Sequence, residues 1–247
     1  MDIGSLSITG RTRKNNQDST LIKFYQLRVE EGTSEWLLCA VADGMGGLIN
    51  GEMASRICIE SIDREFANME GTPDKFERKL SFALKEANSR IWRRGMELKG
   101  AMGTTVSTAL ISREELIMAN VGDSRIYILH ADGTAFHTKD DSEAFSLLEK
   151  GEIGESDLRK NPSRNYLTKA IGIQQAVDVK IERFTLKKGD RILIASDGLW
   201  GALEEDQILK IVGSNASANS ITETLVREAN ERDGSDNISC IFIQDLI

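Results

Sequence analysis

The chain has 247 residues, 40% of them hydrophobic and 28% charged, and a formal net charge of −8. This is enough chain to bury a substantial core in one domain, and an acidic surface argues against binding a nucleic-acid backbone or an anionic membrane. No apolar run is long enough to span a bilayer, and Met1-Asp2-Ile3-Gly4-Ser5 has neither the basic nor the apolar part of a secretory signal, so a cytoplasmic protein is expected.

In chain order, 36–42 is a nearly unbroken apolar run ending at Asp43 and predicts a buried central strand. Residues 51–67 predict a helix with Ala54, Ile57, Cys58, Ile62 and Phe66 on one face. Thr72-Pro73 opens a second helix whose apolar face runs Phe76, Leu80, Ala83, Leu84, Ala87, Ile91. Short β-rich segments follow at 104–111, 115–121, 125–129 and 134–137, separated by polar turns, as in an antiparallel meander. Residues 139–166 are polar and predict an irregular surface excursion with one helical piece. Strands are expected at 177–184 and 191–195, helices at 204–212 and 220–231, and a closing strand at 238–243. Ser220-Ile221-Thr222-Glu223 matches a capping box. With only two prolines and no linker-like stretch, a single domain over 1–247 is expected. The order of elements fits an α+β fold of antiparallel sheets with helices outside rather than a βαβ alternation.

Three acidic segments stand beside strand-like runs: Val41-Ala42-Asp43-Gly44-Met45-Gly46-Gly47, Ile194-Ala195-Ser196-Asp197-Gly198 and Gly234-Ser235-Asp236-Asn237-Ile238. A fold that gathers these aspartates must neutralise them, and a hard divalent cation with oxygen ligands does so most simply. The cysteines, Cys39, Cys58 and Cys240, all sit in apolar stretches and read as buried free thiols. With no close cysteine pair and only His130 and His137, a zinc site is not expected. Each aspartate alone has an ordinary reading as a turn or cap residue. Asp123 has one as an ion-pair partner of Arg125, and Arg13 as part of a solvated basic patch with Arg11 and Lys14. Ser124 and Thr105 lack a histidine placed to activate them and read as structural.

Gly10-Arg11-Thr12-Arg13-Lys14-Asn15-Asn16-Gln17-Asp18 resembles the first motif of the metal-dependent type 2C Ser/Thr protein phosphatases, in their bacterial form. The resemblance continues in order through 41–47, Gly103-Thr104-Thr105, Val121-Gly122-Asp123-Ser124-Arg125, Leu167-Thr168-Lys169-Ala170-Ile171-Gly172, Ser196-Asp197-Gly198 and Asp236-Asn237. It implies a central antiparallel β-sandwich flanked by helices on both sides, a four-layer αββα fold. It also implies two Mn²⁺ or Mg²⁺ ions at one end of the sandwich. Asp43 would bridge them, the Gly44 carbonyl would contribute, and Asp197 and Asp236 would complete the second ion's shell. Asp18 would stand next to the site, Asp123 and Asp197 would hold a third, weaker ion, and Arg13 would grip the substrate phosphate. The implied reaction is hydrolysis of phosphoserine and phosphothreonine in proteins by a metal-bridging water, without a phosphoenzyme. The partners would be phosphorylated proteins, substrates of Ser/Thr kinases, and the protein would be a monomer. Phosphomonoester hydrolysis is extremely slow unaided, and a two-metal site with an arginine fork supplies what it needs.

Four positions depart from the pattern. Gln17 stands where Glu is usual, which implies weaker metal binding. Met45 stands where many eukaryotic relatives have His. Asp141 stands where bacterial relatives often have His, which changes the charge where the excursion begins. Lys169 replaces a common Arg. Segment 142–166 is expected to be a mobile flap that selects substrate. Two alternatives stay open, a non-catalytic phosphoprotein-binding module and a phosphatase of a small phosphorylated metabolite.

Overall fold

In the computed structural model, which describes residues 1–29, 32–45, 50–70, 72–158 and 161–246, two five-stranded antiparallel sheets stack face to face with helices outside both. The elements run β1 (Asp2–Ile8), β2 (Asp18–Val29), β3 (Gly32–Asp43), α1 (Gly51–Glu65), α2 (Pro73–Glu97), β4 (Val106–Ile111), β5 (Glu115–Val121), β6 (Arg125–Leu129) and β7 (Ala135–His137). They continue α3 (Glu143–Glu149), α4 (Glu155–Leu158), a 3₁₀ turn (Pro162–Asn165), β8 (Ile181–Thr185), β9 (Arg191–Ala195), α5 (Asp197–Trp200), α6 (Glu205–Val212), α7 (Ala218–Arg232) and β10 (Ile238–Gln244). One sheet is ordered β1-β10-β9-β6-β7 and the other β2-β3-β4-β5-β8.

Three layers of apolar contact explain the sequence texture. In β3, Leu38, Ala40 and Ala42 pack toward α1 and α2, while Leu37, Cys39 and Val41 fill the space between the sheets. Both faces are buried, so the strand reads as a continuous apolar run. β10 does the same in the other sheet: Cys240 and Phe242 pack with α7 residues, and Ile241 and Ile243 face the opposite sheet. The apolar stripes of α1 and α2 cover the β3 face, with Phe66, Phe76, Leu80 and Leu84 fully buried. This is the expected four-layer α+β sandwich. The three cysteines are free and buried.

Some expectations need correction. The strand expected at 177–184 pairs only over Ile181–Thr185. Val177 and Val179 do pack with Ile181 against the α2 side of the core, so the alternation reports burial without ladder pairing. The capping box expected at Ser220 is absent, because α7 starts earlier: Ser217 is its N-cap, and the Ser217 hydroxyl accepts from Ser220 N at 3.4 Å. A capping box does form on α6, between Glu204 and Gln207. The strands β1 and β2 lie where the sequence pattern predicts none. Both are sheet edges, where half-exposed strands carry the mixed polar pattern that sequence reading passes over. Within 139–166, where one helical piece was expected, two short helices and the 3₁₀ turn are found. Gly46 and Gly47 of the 41–47 motif lie outside the described residues.

Candidate metal centre and active site

Antiparallel pairing carries the acidic residues to one end of the sandwich. Asp18 at the start of β2 stands opposite Asp43 at the end of β3. β4 begins beside them, and Val106 pairs with Val121 at the end of β5, two residues before Asp123. In the other sheet, Ala195 pairs with both Cys240 and Arg125, which puts Asp197 just beyond β9 and Asp236 just before β10 at the same end.

Backbone bonds fix each of these turns. The Asp43 carbonyl accepts from Thr105 N at 2.9 Å and from Thr104 Oγ1 at 2.8 Å, and Asp43 N donates to Thr105 Oγ1 at 3.2 Å. Thr105 Oγ1 also lies 2.7 Å from Ser124 Oγ, so Thr105 and Ser124 hold the frame, in agreement with their structural reading. Gly44 N donates to the Gln17 carbonyl at 3.1 Å, and a Cβ on Gly44 would sit 2.1 Å from the Gly51 carbonyl oxygen, so only glycine fits. The Gln17 side chain packs against Gly51 at the start of α1, its Nε2 2.8 Å from where a Cβ would be.

Asn237, to which the sequence reading gave no role of its own, is the hub of the Asp236 turn. Its Oδ1 accepts from Gln17 N at 2.8 Å, and its Nδ2 donates to the carbonyls of Thr9 at 2.9 Å and Asn15 at 3.0 Å. Thr12 Oγ1 donates to the Ser235 carbonyl at 2.8 Å, and Arg13 Nη2 donates to Asp236 Oδ2 at 2.8 Å. Arg13 is thereby brought into the acidic group, within electrostatic reach of Asp197 and Asp43. Ser196, another residue the sequence reading left without a role, donates from Oγ to Asp18 Oδ2 at 2.9 Å and accepts from Ser239 N at 3.0 Å. The Asx hub and the serine bridge join segments some 200 residues apart, so no local signal marks them beyond the Asp-Asn and Ser-Asp pairs.

The pairing considered for Asp123 is corrected. Arg125 pairs with Asp140, both bonds being 2.8 Å, and not with Asp123. Asp141 Oδ2 accepts from Gly122 N at 3.1 Å and Oδ1 lies 3.5 Å from Lys169 Nζ, so two of the four departures from the family pattern face one another. His130 pairs with Asp190 and His137 with the Thr138 carbonyl, so neither stands with the aspartates.

The electrostatics of the acidic group are unfavourable by themselves. Asp18 is pushed up to about 7, first by burial and then by Asp197 and Asp236, against the hydrogen bonds from Ser196 and Ser239. Asp43 lies well above the carboxylate range, through burial and then repulsion from Asp18, Asp197 and Asp123. Asp123 is raised well above that range by burial, Asp197 and Asp140, and Asp197 is raised by burial and Asp236. Asp18 Oδ1 and Asp197 Oδ1 are buried without a hydrogen-bond partner among the described residues. Among those residues, no three His, Cys, Asp or Glu side chains form a group that could hold an ion by themselves. Mutually repelling carboxylates with orphaned oxygens still suit a hard cation that keeps several waters and takes only one or two carboxylates, as Mg²⁺ does.

These shifts give a signed expectation. Between about pH 4, where a free aspartate ionises, and about pH 7, where Asp18 does, the folded chain holds protons that the unfolded chain has released. Metal-free stability therefore falls as pH rises through this window. Asp2, whose carboxyl is lowered by Gln244 and Ala218, acts below the window; His137, lowered by burial and Arg125, opposes the trend within it but is one group against the raised carboxyls of Asp18, Asp43, Asp123 and Asp197. A urea midpoint lower at pH 7.5 than at pH 5.5, with the difference removed by saturating Mn²⁺, is the expected result. A midpoint rising over that interval without metal contradicts the repulsion described here.

The protein phosphatase 2C family model matches residues 11–241. The chain belongs to the protein phosphatase 2C family. The serine/threonine phosphatase stp of Listeria innocua is 30% identical over 240 residues, covering 95% of this chain and 92% of that protein. Serine/threonine phosphatase Stp1 from Staphylococcus aureus superposes with a TM-score of 0.89 at 26% identity, covering 99% of this chain and 95% of that one. The catalytic domain of the serine threonine protein phosphatase PstP, solved in complex with two manganese ions, gives 0.80 at 28% identity, covering 97% of this chain and 96% of that one. The two sheets and their helices are thus the phosphatase 2C sandwich, and its acidic end is where the motif residues of this chain meet.

Proposed function

We propose that this protein is a Mn²⁺- or Mg²⁺-dependent protein phosphatase that hydrolyses phosphoserine and phosphothreonine. The observation that carries the reading is the convergence of Asp18, Asp43, Asp197 and Asp236 from four chain segments on one end of the sandwich, with Arg13 beside them and two buried carboxylate oxygens without a partner among the described residues. Asp43, shared by two ions, would hold them with the Gly44 carbonyl on one side and Asp197 and Asp236 on the other, and Asp123 with Asp197 would hold a third. When bound, such ions neutralise phosphate oxygens and make water a nucleophile near neutral pH.

The chain's own residues supply the rest. Arg13 is exposed on the loop that Asn237 anchors, and its planar fork can take two phosphate oxygens at once. Its Nη2 donates to Asp236 Oδ2, and a cation held by Asp236 would compete for that carboxylate and free the donor for a phosphate oxygen. Asp18 Oδ2 is fixed by Ser196, which leaves Oδ1 to accept a hydrogen bond from water. The whole chain acts as one catalytic domain, and segment 142–166, of which residues 159–160 lie outside the described residues, selects among phosphorylated proteins made by Ser/Thr kinases. The enzyme works as a monomer in the cytoplasm. Among the described residues no helix is long and apolar enough to cross a membrane.

A comparison with one shared leaving group tests the substrate class. kcat/KM for a phosphothreonine peptide should exceed that for free phosphothreonine at least tenfold, a difference of about 1.4 kcal/mol. Equal values would place the substrate among small phosphorylated metabolites. Arg13→Lys should raise KM for the peptide about tenfold, since an ammonium cannot reproduce the fork.

A further inference from the structure

A buried ion pair at the root of the 142–166 segment has no role in the chemistry above. Arg125, the first residue of β6, donates from Nε to Asp140 Oδ1 and from Nη2 to Asp140 Oδ2, each at 2.8 Å. The two side chains are only 4% and 5% exposed. The guanidinium lies over the Trp200 ring, with Cζ 3.7 Å from its centroid, and Nη1 reaches the Tyr127 hydroxyl at 3.3 Å. Trp200 in turn donates from Nε1 to the Asp123 carbonyl at 2.9 Å. Trp200 ends α5, whose first residue is Asp197. On the other side, Asp141 N donates to the Gly122 carbonyl at 2.9 Å and its own carbonyl accepts from Thr168 N at 2.8 Å.

Burying two charges is a poor way to gain stability, because a well-packed apolar pair of similar volume is often as stable or more so. A bidentate carboxylate–guanidinium pair does hold a single geometry, and stacking on an indole fixes the plane of the fork. Here that geometry ties together the turn bearing Asp123, the helix bearing Asp197 and the start of the flap. We infer that Arg125, Asp140 and Trp200 form a positioning clamp that sets the spacing of Asp123 and Asp197 for a cation. The same clamp makes the flap root part of that unit. The inference rests on the phosphatase reading only for the role of Asp123 and Asp197 as cation ligands.

Mn²⁺ binding by titration calorimetry tests the clamp without reference to turnover. Arg125→Lys keeps the charge and loses the fork. It should weaken the weakest class of Mn²⁺ sites about tenfold, the lower end of what outer partners of metal ligands contribute. Since unpaired charges could unfold a variant, Arg125→Met combined with Asp140→Leu is measured beside it. This double variant should match or exceed the wild-type Tm and still bind Mn²⁺ about tenfold more weakly. Leu84→Ala, fully buried on α2 in the opposite sheet's helical layer, should lower Tm and leave Mn²⁺ affinity unchanged. Wild-type affinity in both Arg125 variants, or an equal loss in Leu84→Ala, overturns the clamp. A wild-type chain that binds Mn²⁺ but releases no phosphate from a phosphothreonine peptide overturns the phosphatase reading alone. One that binds no Mn²⁺ overturns both.

Discussion

Replacing Asp43 by Asn should lower turnover of a phosphothreonine peptide about 10³-fold or more, while making the metal-free protein more stable. The size of the loss follows what single preorganised charged or polar groups contribute in such sites, about 10²–10³, increased here because Asp43 would touch both ions. The gain in stability follows from the same position. The Asp43 carboxyl is held above its ordinary range by burial and by Asp18, Asp197 and Asp123, so a neutral amide of the same shape removes a standing repulsion. The backbone of residue 43 keeps its bonds to Thr104 and Thr105, which hold this turn whatever the side chain. At pH 8 in EDTA the variant's Tm should rise by several degrees, since 1 kcal/mol is worth about 2–4 °C at this size. Opposite movements of activity and stability are the signature of a site kept strained for function. A variant that loses both would mark Asp43 as a structural residue.

The second large effect is expected at Asn237. It is 3% exposed and its side chain makes three hydrogen bonds, to Gln17 N, Thr9 O and Asn15 O. Asn237→Ala removes all three and leaves backbone groups of the first motif unsatisfied, at a cost of about 2 kcal/mol. That corresponds to a Tm lower by about 4–8 °C. Arg13 sits on the released loop between Thr9 and Asn15, so KM for the phosphopeptide should rise as well. Calorimetric melting and peptide kinetics check the two parts separately. A Tm change under about 1 °C with KM unmoved would mean that the bonds from Arg11 N to the Gly234 carbonyl, from Arg11 Nη2 to the Asp233 carbonyl and from Thr12 Oγ1 to the Ser235 carbonyl hold the loop unaided.

The parts of this molecule legible in the sequence are those where one residue type has one physical use. β3 reads as a strand because Leu37 to Ala42 are buried on both faces, and the helix stripes of α1 and α2 cover a single surface. The aspartates were legible because several short acidic turns recur in a fixed order along the chain. The connecting hardware was not. Asn237 and Ser196 act on partners in distant segments, and their sequence neighbourhoods look like ordinary turns. Arg125 has Asp123 two residues away, yet its partner is Asp140, because Asp123 sits in the turn while Asp140 faces the strand. Edge strands β1 and β2 carry too many half-exposed polar residues to show a clean alternation. α7 starts earlier than the sequence predicts because Ser217 and Ser220 are both acceptable caps, and the contact of Ala218 N with Asp2 Oδ2 at 2.8 Å favours the earlier one.

Phosphate release from a phosphothreonine peptide, followed as Mn²⁺ is titrated into metal-stripped protein, bears most directly on the central claim. Release that rises with Mn²⁺, saturates, disappears in EDTA and is absent in Asp43→Asn is the predicted result. Release that is indifferent to Mn²⁺ and EDTA, or no release from protein shown to be folded and to bind Mn²⁺, contradicts it.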